Sequence, residues 1–308
     1  MRHRTEYKSR RACDRSREYL GIAVIVGVGL FFALGNTLAN IAYAGGSDPV
    51  SLSTARFLFP AIALAAMLAL AGVPSALPRR DAVVALALGI VTAVYTLALL
   101  SAIEILPVAL AVLIFFLFPI LTSVILALMG WERLPLTTIA AGVLAFAGLT
   151  LALGVSRQAL SFEGMIYGGI AALGLAIVSA VSGRIIRSGD SRPVTLHILT
   201  MASAVAIVIV LFRGEYLLPQ TLSGWWGFAG STLFSGIAMI GFFVAISLIG
   251  PARATLFQYA EPLFTMATAF LFLGQTLTAL QILGAVVVVG ALVGERVLRQ
   301  RTRDAPAN

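Results

Sequence analysis

The sequence predicts an all-α integral membrane protein, with ten transmembrane helices arranged as two inverted five-helix repeats. Three observations predict it. The chain is 60% hydrophobic and 11% charged, against about 25% charged in a soluble domain, and its mean hydropathy is +1.01. Apolar runs of about 20 residues, long enough to cross a bilayer as helices, recur along it. Residues 48–52 (DPVSL) match 192–196 (RPVTL) at an offset of 144, and residues 118–134 match 261–277 at an offset of 143.

Residues 1–19 form a polar tail, expected to be solvated and mobile, with Arg2, Arg4, Lys8, Arg10, Arg11, Arg15 and Arg17. The apolar run that follows ends in Ala42-Tyr43-Ala44, the A-x-A form of a signal-peptide cleavage site. It exceeds the about 7–15 residues of a signal core, so it is read as the first span. The expected spans are 20–44, 50–72, 82–102, 107–129 and 135–154 in the first repeat. The second repeat has 163–186, 194–212, 224–248, 251–273 and 277–297, and residues 298–308 are a second basic tail. No connection exceeds about a dozen residues, so any activity has to lie within the bilayer.

Eighteen Lys and Arg fall on one side of these spans and two, Arg157 and Arg213, on the other, with Arg56 inside a span. The positive-inside rule then places both termini in the cytoplasm and the protein in the cell (inner) membrane. The net charge of +8 is spent on topology and implies no nucleic-acid partner. Cys13 is the single cysteine, and His3 and His197 are the two histidines. That excludes an intrachain disulfide and a thiolate or histidine metal cluster, and no cofactor is expected. An odd number of spans per repeat makes the second copy enter the membrane from the opposite side. Inverted repeats of this kind characterise secondary transporters, with two similar packings open to opposite sides.

At particular motifs the chain resembles the EamA family of the drug/metabolite transporter superfamily, in its ten-helix form. In the first half these are Ala55-Arg56-Phe57, then Pro119 and Gly130-Trp131-Glu132-Arg133-Leu134. In the second they are Gly250-Pro251-Ala252-Arg253-Ala254, Tyr259-Ala260-Glu261-Pro262 and Leu273-Gly274-Gln275-Thr276-Leu277. The resemblance implies transport of amino acids and other small metabolites through a central cavity between the halves. The chain departs from the family at Leu34-Gly35, where Trp-Gly is usual, and at Gly274-Gln275, where Gly-Glu is usual.

Glu261 is the strongest candidate. It is placed deep in a span, whereas Asp48, Glu104, Glu132 and Glu163 fall at predicted ends. Ten residues from Pro251 put it roughly 15 Å deep, near the middle of a core about 30 Å thick. A carboxylate facing lipid there is costly by about 2.5–3.5 kcal/mol or more. It can carry a proton, hold a substrate amine or lock its helix to a neighbour. Pro262 removes a helix hydrogen bond and is expected to free the Gln258 carbonyl. Gln258, Glu261, Thr265 and Thr268 share one helix face, and Tyr259 extends the site. The offset of 143 sets Phe115 and Phe118 opposite Gln258 and Glu261, which predicts a cavity with one polar and one aromatic face. Asn36 and Asn40 share a face of the first span, and Tyr95 adds a hydroxyl in the third. Arg56 could bind a substrate carboxylate, snorkel outward or cap a helix end. Glycines 164 and 168 form a GxxxG that serves packing or dimerisation.

The expected partners are a small-molecule substrate, the lipid bilayer and, if Glu261 is coupled, protons, with the chain a monomer or homodimer. Export by alternating access is the leading function. A channel or lipid scramblase is the alternative. An intramembrane enzyme is disfavoured, since no nucleophile–base pair or metal set lies in the spans.

Overall fold

The computed structural model describes residues 2–132, 134–154, 161–186, 190–273 and 276–304, with side chains between 16 and 300 apart from those gaps and positions 269, 272 and 273. Arg133, Arg157, Gly274 and Gln275, singled out in the sequence, lie outside the described residues. Among the described residues there are twelve helices and no strand. The first repeat comprises α1 (Arg2–Ala44), α2 (Pro49–Leu70), α3 (Arg79–Ile105), α4 (Val108–Phe115), α5 (Phe118–Leu128) and α6 (Leu136–Leu153). The second comprises α7 (Phe162–Ile186), α8 (Ser191–Arg213), α9 (Leu222–Ile249), α10 (Pro251–Phe257), α11 (Ala260–Leu273) and α12 (Ala279–Asp304). Among the described residues nine spans are long and apolar enough to cross a membrane, α4 with α5 counting as one. The α10–α11 pair makes the tenth, so this is a multi-pass integral membrane protein.

Local chemistry explains the helix ends. Asp48 caps α2, accepting from the backbone N–H groups of Val50 and Ser51 at 3.2 Å, and Pro49 occupies the first turn, where its missing N–H is not needed. Thr221 caps α9 by accepting from the Gly224 N–H at 3.1 Å. Two differences from expectation concern α1 and α12. The helix of α1 begins at Arg2, within the stretch read as a mobile tail. That stretch holds no proline or glycine before Gly21 and is rich in Arg, Glu and Lys, which are good helix formers. The last helix likewise runs on to Asp304.

The larger difference is that the fourth and ninth spans are broken. α4 stops at Phe115 and α5 starts at Phe118; α10 stops at Phe257 and α11 starts at Ala260. The cause is the repeated proline. Pro119 and Pro262 have no N–H to donate back, and their rings collide with the preceding turn. The chain therefore unwinds for a turn and restarts with the proline near the head of the second half-helix. The Gln258 carbonyl is not left free, as a continuous helix would leave it: it accepts from the Glu261 N–H at 2.9 Å.

The repeats interleave. α1 packs along α9 and its repeat mate α7 packs along α3, while α2 meets α8 and α6 meets α12. Glycines set the closest approaches: Gly45 lies against Gly224, Gly21 against Ile249, and Gly164 against Leu106. α1 and α9 are thus antiparallel, and α7 starts beside the end of α3. The mates α1 and α7 therefore start at opposite ends of the bundle, which is the inversion expected from five spans per repeat. Gly164 and Gly168 meet Leu106 and Ile114 of the same chain, so the GxxxG face is occupied by internal packing. One end of the bundle, called the basic end below, gathers Glu18, Arg253, Glu295 and Arg299. The other holds the Asp48–Arg213 ion pair at 2.7 Å.

Candidate functional site

The two helix breaks face each other at the centre of the bundle, across the pseudo-twofold axis. The Tyr259 hydroxyl donates to the Phe116 carbonyl at 3.0 Å, across 143 residues, and their rings lie 5.9 Å apart. These two residues are repeat mates, so the axis runs between them. Tyr259 is fully buried and is absent from the cavity wall. Its position in the sequence beside Glu261 suggests a ligand contact, but its side chain lies in the core, where it satisfies the carbonyl that the first break exposes. Tyr259→Phe leaves that carbonyl unpaired. It should lower the thermal stability of the purified protein by about 1 kcal/mol or somewhat more.

Beside the breaks lies a cavity of about 170 Å³, room for several waters or a small molecule. Of the ten residues picked from the sequence, seven line it: Asn36, Arg56, Tyr95, Phe115, Phe118, Gln258 and Glu261. One wall is polar. Glu261 Oε1 accepts from Asn36 Nδ2 at 3.3 Å, and Oε2 accepts from Gln258 Nε2 at 2.8 Å. Asn36 Oδ1 accepts in turn from Arg56 Nη2 at 3.4 Å. Arg56 also donates to the Gly35 carbonyl at 2.9 Å and to Ser231 Oγ at 2.6 Å. Asn36 thus joins the carboxylate and the guanidinium in a network spanning α1, α2, α9 and the α10–α11 break. Gly35 suits this close approach of α1 to α9: a Cβ there would lie 2.5 Å from Ser235 Oγ and 3.3 Å from the Ser235 backbone nitrogen.

The facing wall is aromatic. Tyr95 stacks on Phe115 with centroids 6.4 Å apart, and Phe115 lies 5.4 Å from Phe118. Phe242 and Phe243 continue the wall from α9. Two polar atoms at this cavity, Gln258 Oε1 and Ser235 Oγ, are buried without a hydrogen-bond partner among the described residues. Unsatisfied buried groups are uncommon in native proteins, and ones that line a cavity are available to a ligand.

Asn40 and Thr265 lie off the cavity. Asn40 is exposed, donating to the Asn36 carbonyl at 3.3 Å. Thr265 donates to the Glu261 carbonyl at 3.1 Å, and Thr268 meets Thr37 of α1 at 3.1 Å. The break separates Gln258 from the rest of the four-residue polar stripe, which runs along α11: Gln258 and Glu261 line the cavity, Thr265 bonds its own helix and Thr268 meets α1. Sequence reading missed Thr92, Thr96, Phe242 and Phe243 on the wall, and Ser231 behind Arg56. Ser231 lies four residues before Ser235, a helical spacing that marks a polar face on α9.

A polar cavity at paired helix breaks, between two inverted repeats, is the architecture of a membrane transporter. The chain belongs to the EamA-like transporter family, part of the drug/metabolite transporter superfamily, whose sequence model matches residues 19–154 and again 162–294. An uncharacterized transporter of Archaeoglobus fulgidus is 27% identical over 199 residues, covering 64% of this chain and 70% of its own. A protein of known crystal structure superposes with a TM-score of 0.78 at 18% identity, over 90% of this chain and 98% of that one. That likeness is one of fold.

Proposed function

We propose that this transporter is a secondary carrier that exports small metabolites, amino acids among them, by alternating access through the central cavity. One observation carries the proposal: the Arg56–Asn36–Glu261–Gln258 network faces the Tyr95–Phe115–Phe118 wall inside a cavity made by both repeats. Such a cavity suits a solute with a polar head and an apolar body. Glu261, with the free Gln258 Oε1 beside it, receives the N–H donors of the head group or a coupled proton. Arg56 is committed to Gly35, Ser231 and Asn36. It therefore positions Asn36 and, through it, the carboxylate. The apolar lining of Phe115, Phe118 and Phe242 takes the body of the solute. The excess of Lys and Arg on one side supports cytoplasmic termini and an inner-membrane location.

The test is a screen of amino acids and small amines for thermal stabilisation of the purified protein, followed by counterflow in proteoliposomes. A ligand that binds the native state raises its stability. The expected result is saturable exchange, in which unlabelled solute inside drives uptake of labelled solute. Flux that neither saturates nor shows counterflow would mean a pore.

A further inference from the structure

A buried charge cluster closes the basic end of the bundle. Arg253 of α10 is 3% exposed. Its Nε lies 3.2 Å from Glu295 Oε1, its Nη2 donates to Glu295 Oε2 at 3.2 Å, and its Nη1 lies 2.9 Å from Glu18 Oε1 of α1. Glu295 of α12 is 1% exposed, accepts from Thr138 Oγ1 of α6 at 3.2 Å and lies 3.7 Å from Arg299 Nη1. Sequence reading names Glu261 alone as a deep acid. Glu295 escapes it because its depth comes from neighbours, not from its place in a span. Four helices, two from each repeat, converge on this cluster, and none of its members lines the central cavity.

The repeat offset shows that the cluster has no twin. The mates of Arg253 and Glu295 are Leu110 and Ala152. Accessibility differs between mates in the same sense. Pro251 is buried and sits on Gly183, where an added Cβ would lie 2.8 Å from the proline ring. Their mates, Val108 and Asn40, are both exposed. Ser179 is fully buried, whereas its mate Asn36 is exposed on the cavity wall. Asn36 and Asn40 thus mark an exposed side of the bundle, the first path, and their counterparts Ser179 and Gly183 mark a buried side, the second, where α10 lies on Gly183.

We propose that Arg253, paired with Glu295 and Glu18, is the latch that holds α10 over the second path, and that the cavity opens toward the basic end only when this cluster breaks. The proposal rests on the alternating-access reading above. It also makes Arg253 a positioning residue, because α10 leads directly into Gln258 at the cavity. Breaking the pairs releases the half-helix at one end while its other end carries a cavity wall. A buried pair that loses one partner is strongly disfavoured in the closed arrangement, so neutralising a member shifts the balance toward the other state.

The test uses the full chain in proteoliposomes, with Cys13→Ser and a single reporter, either Ser179→Cys or Asn40→Cys, and a membrane-permeant maleimide. With the latch intact, the reporter at 40 reacts and the one at 179 is protected. In Arg253→Gln, and separately in Glu295→Gln and Glu18→Gln, labelling at 179 should rise at least about tenfold and labelling at 40 should fall. Continued protection at 179 in folded variants overturns the latch and leaves the carrier reading intact. A rise at 179 without a fall at 40 upholds the latch as a seal and overturns alternating access. Should Arg253→Gln not fold, the two glutamate variants give the same outcomes, since glutamine keeps their shape and removes only the charge.

Discussion

Glu261→Gln should abolish transport while leaving a folded, membrane-inserted protein. The carboxylate accepts on both oxygens, from Asn36 Nδ2 and from Gln258 Nε2. A glutamine there has one oxygen and one NH₂, so it keeps the Asn36 contact and pairs with Gln258 only if that amide turns its unpartnered Oε1 toward the new NH₂. The fold therefore tolerates the change, but the cavity loses both the carboxylate and the Gln258 acceptor. The ligand also loses a charged acceptor. Losing one member of a buried, hydrogen-bonded charge contact is worth about 2–5 kcal/mol, roughly 30-fold or more in affinity. The measurement pairs uptake with ligand-induced thermal shift, using whichever solute the screen returns. Wild-type uptake, with an unchanged response to external pH, would falsify the assignment of Glu261 to the site.

Gly284→Leu should prevent recovery of folded protein, whereas Gly290→Leu should be tolerated. Both glycines lie on α12, and neither replacement alters charge. A Cβ at 284 would stand 2.3 Å from the Ala152 nitrogen and 2.5 Å from the Gly148 carbonyl oxygen of α6. These are backbone atoms, so relief requires α6 and α12 to separate. A Cβ at 290 meets nothing within 4 Å. Overpacking generally destabilises by about 1–3 kcal/mol, more where backbone must move, and small residues are what permit close helix approach in a membrane. Detergent-solubilised yield and melting temperature of the two variants, side by side, give the readout. Equal stability would mean that α6 and α12 do not depend on this contact.

Much of the site is legible in the residues alone. The offset of 143 sets Phe115 and Phe118 against Gln258 and Glu261, and the cavity walls follow that division. Asn36 and Arg56 stand out because amide and guanidinium groups inside apolar spans need partners. Sequence reading adds Tyr259 to the site for its place in the chain beside Glu261, yet residues two apart along a helix point to nearly opposite sides, and its side chain lies in the core. Ser231 and Thr92 pass unnoticed because hydroxyls in spans commonly bond their own helix, as Thr92 does to the Leu88 carbonyl at 2.9 Å.

The sequence by itself determined that this chain lies in a membrane, how many times it crosses, and that its halves are inverted copies. Those properties follow from apolar transfer, which sums residue by residue along a helix, and from the parity of the spans. Tertiary structure alone decided what the polar residues do. Glu261 reaches a cavity, Tyr259 serves the core, and Arg253 meets Glu295 across 42 residues. Hydrogen bonds and ion pairs act over about 3 Å and in specific directions, so their partners exist only once the helices have packed.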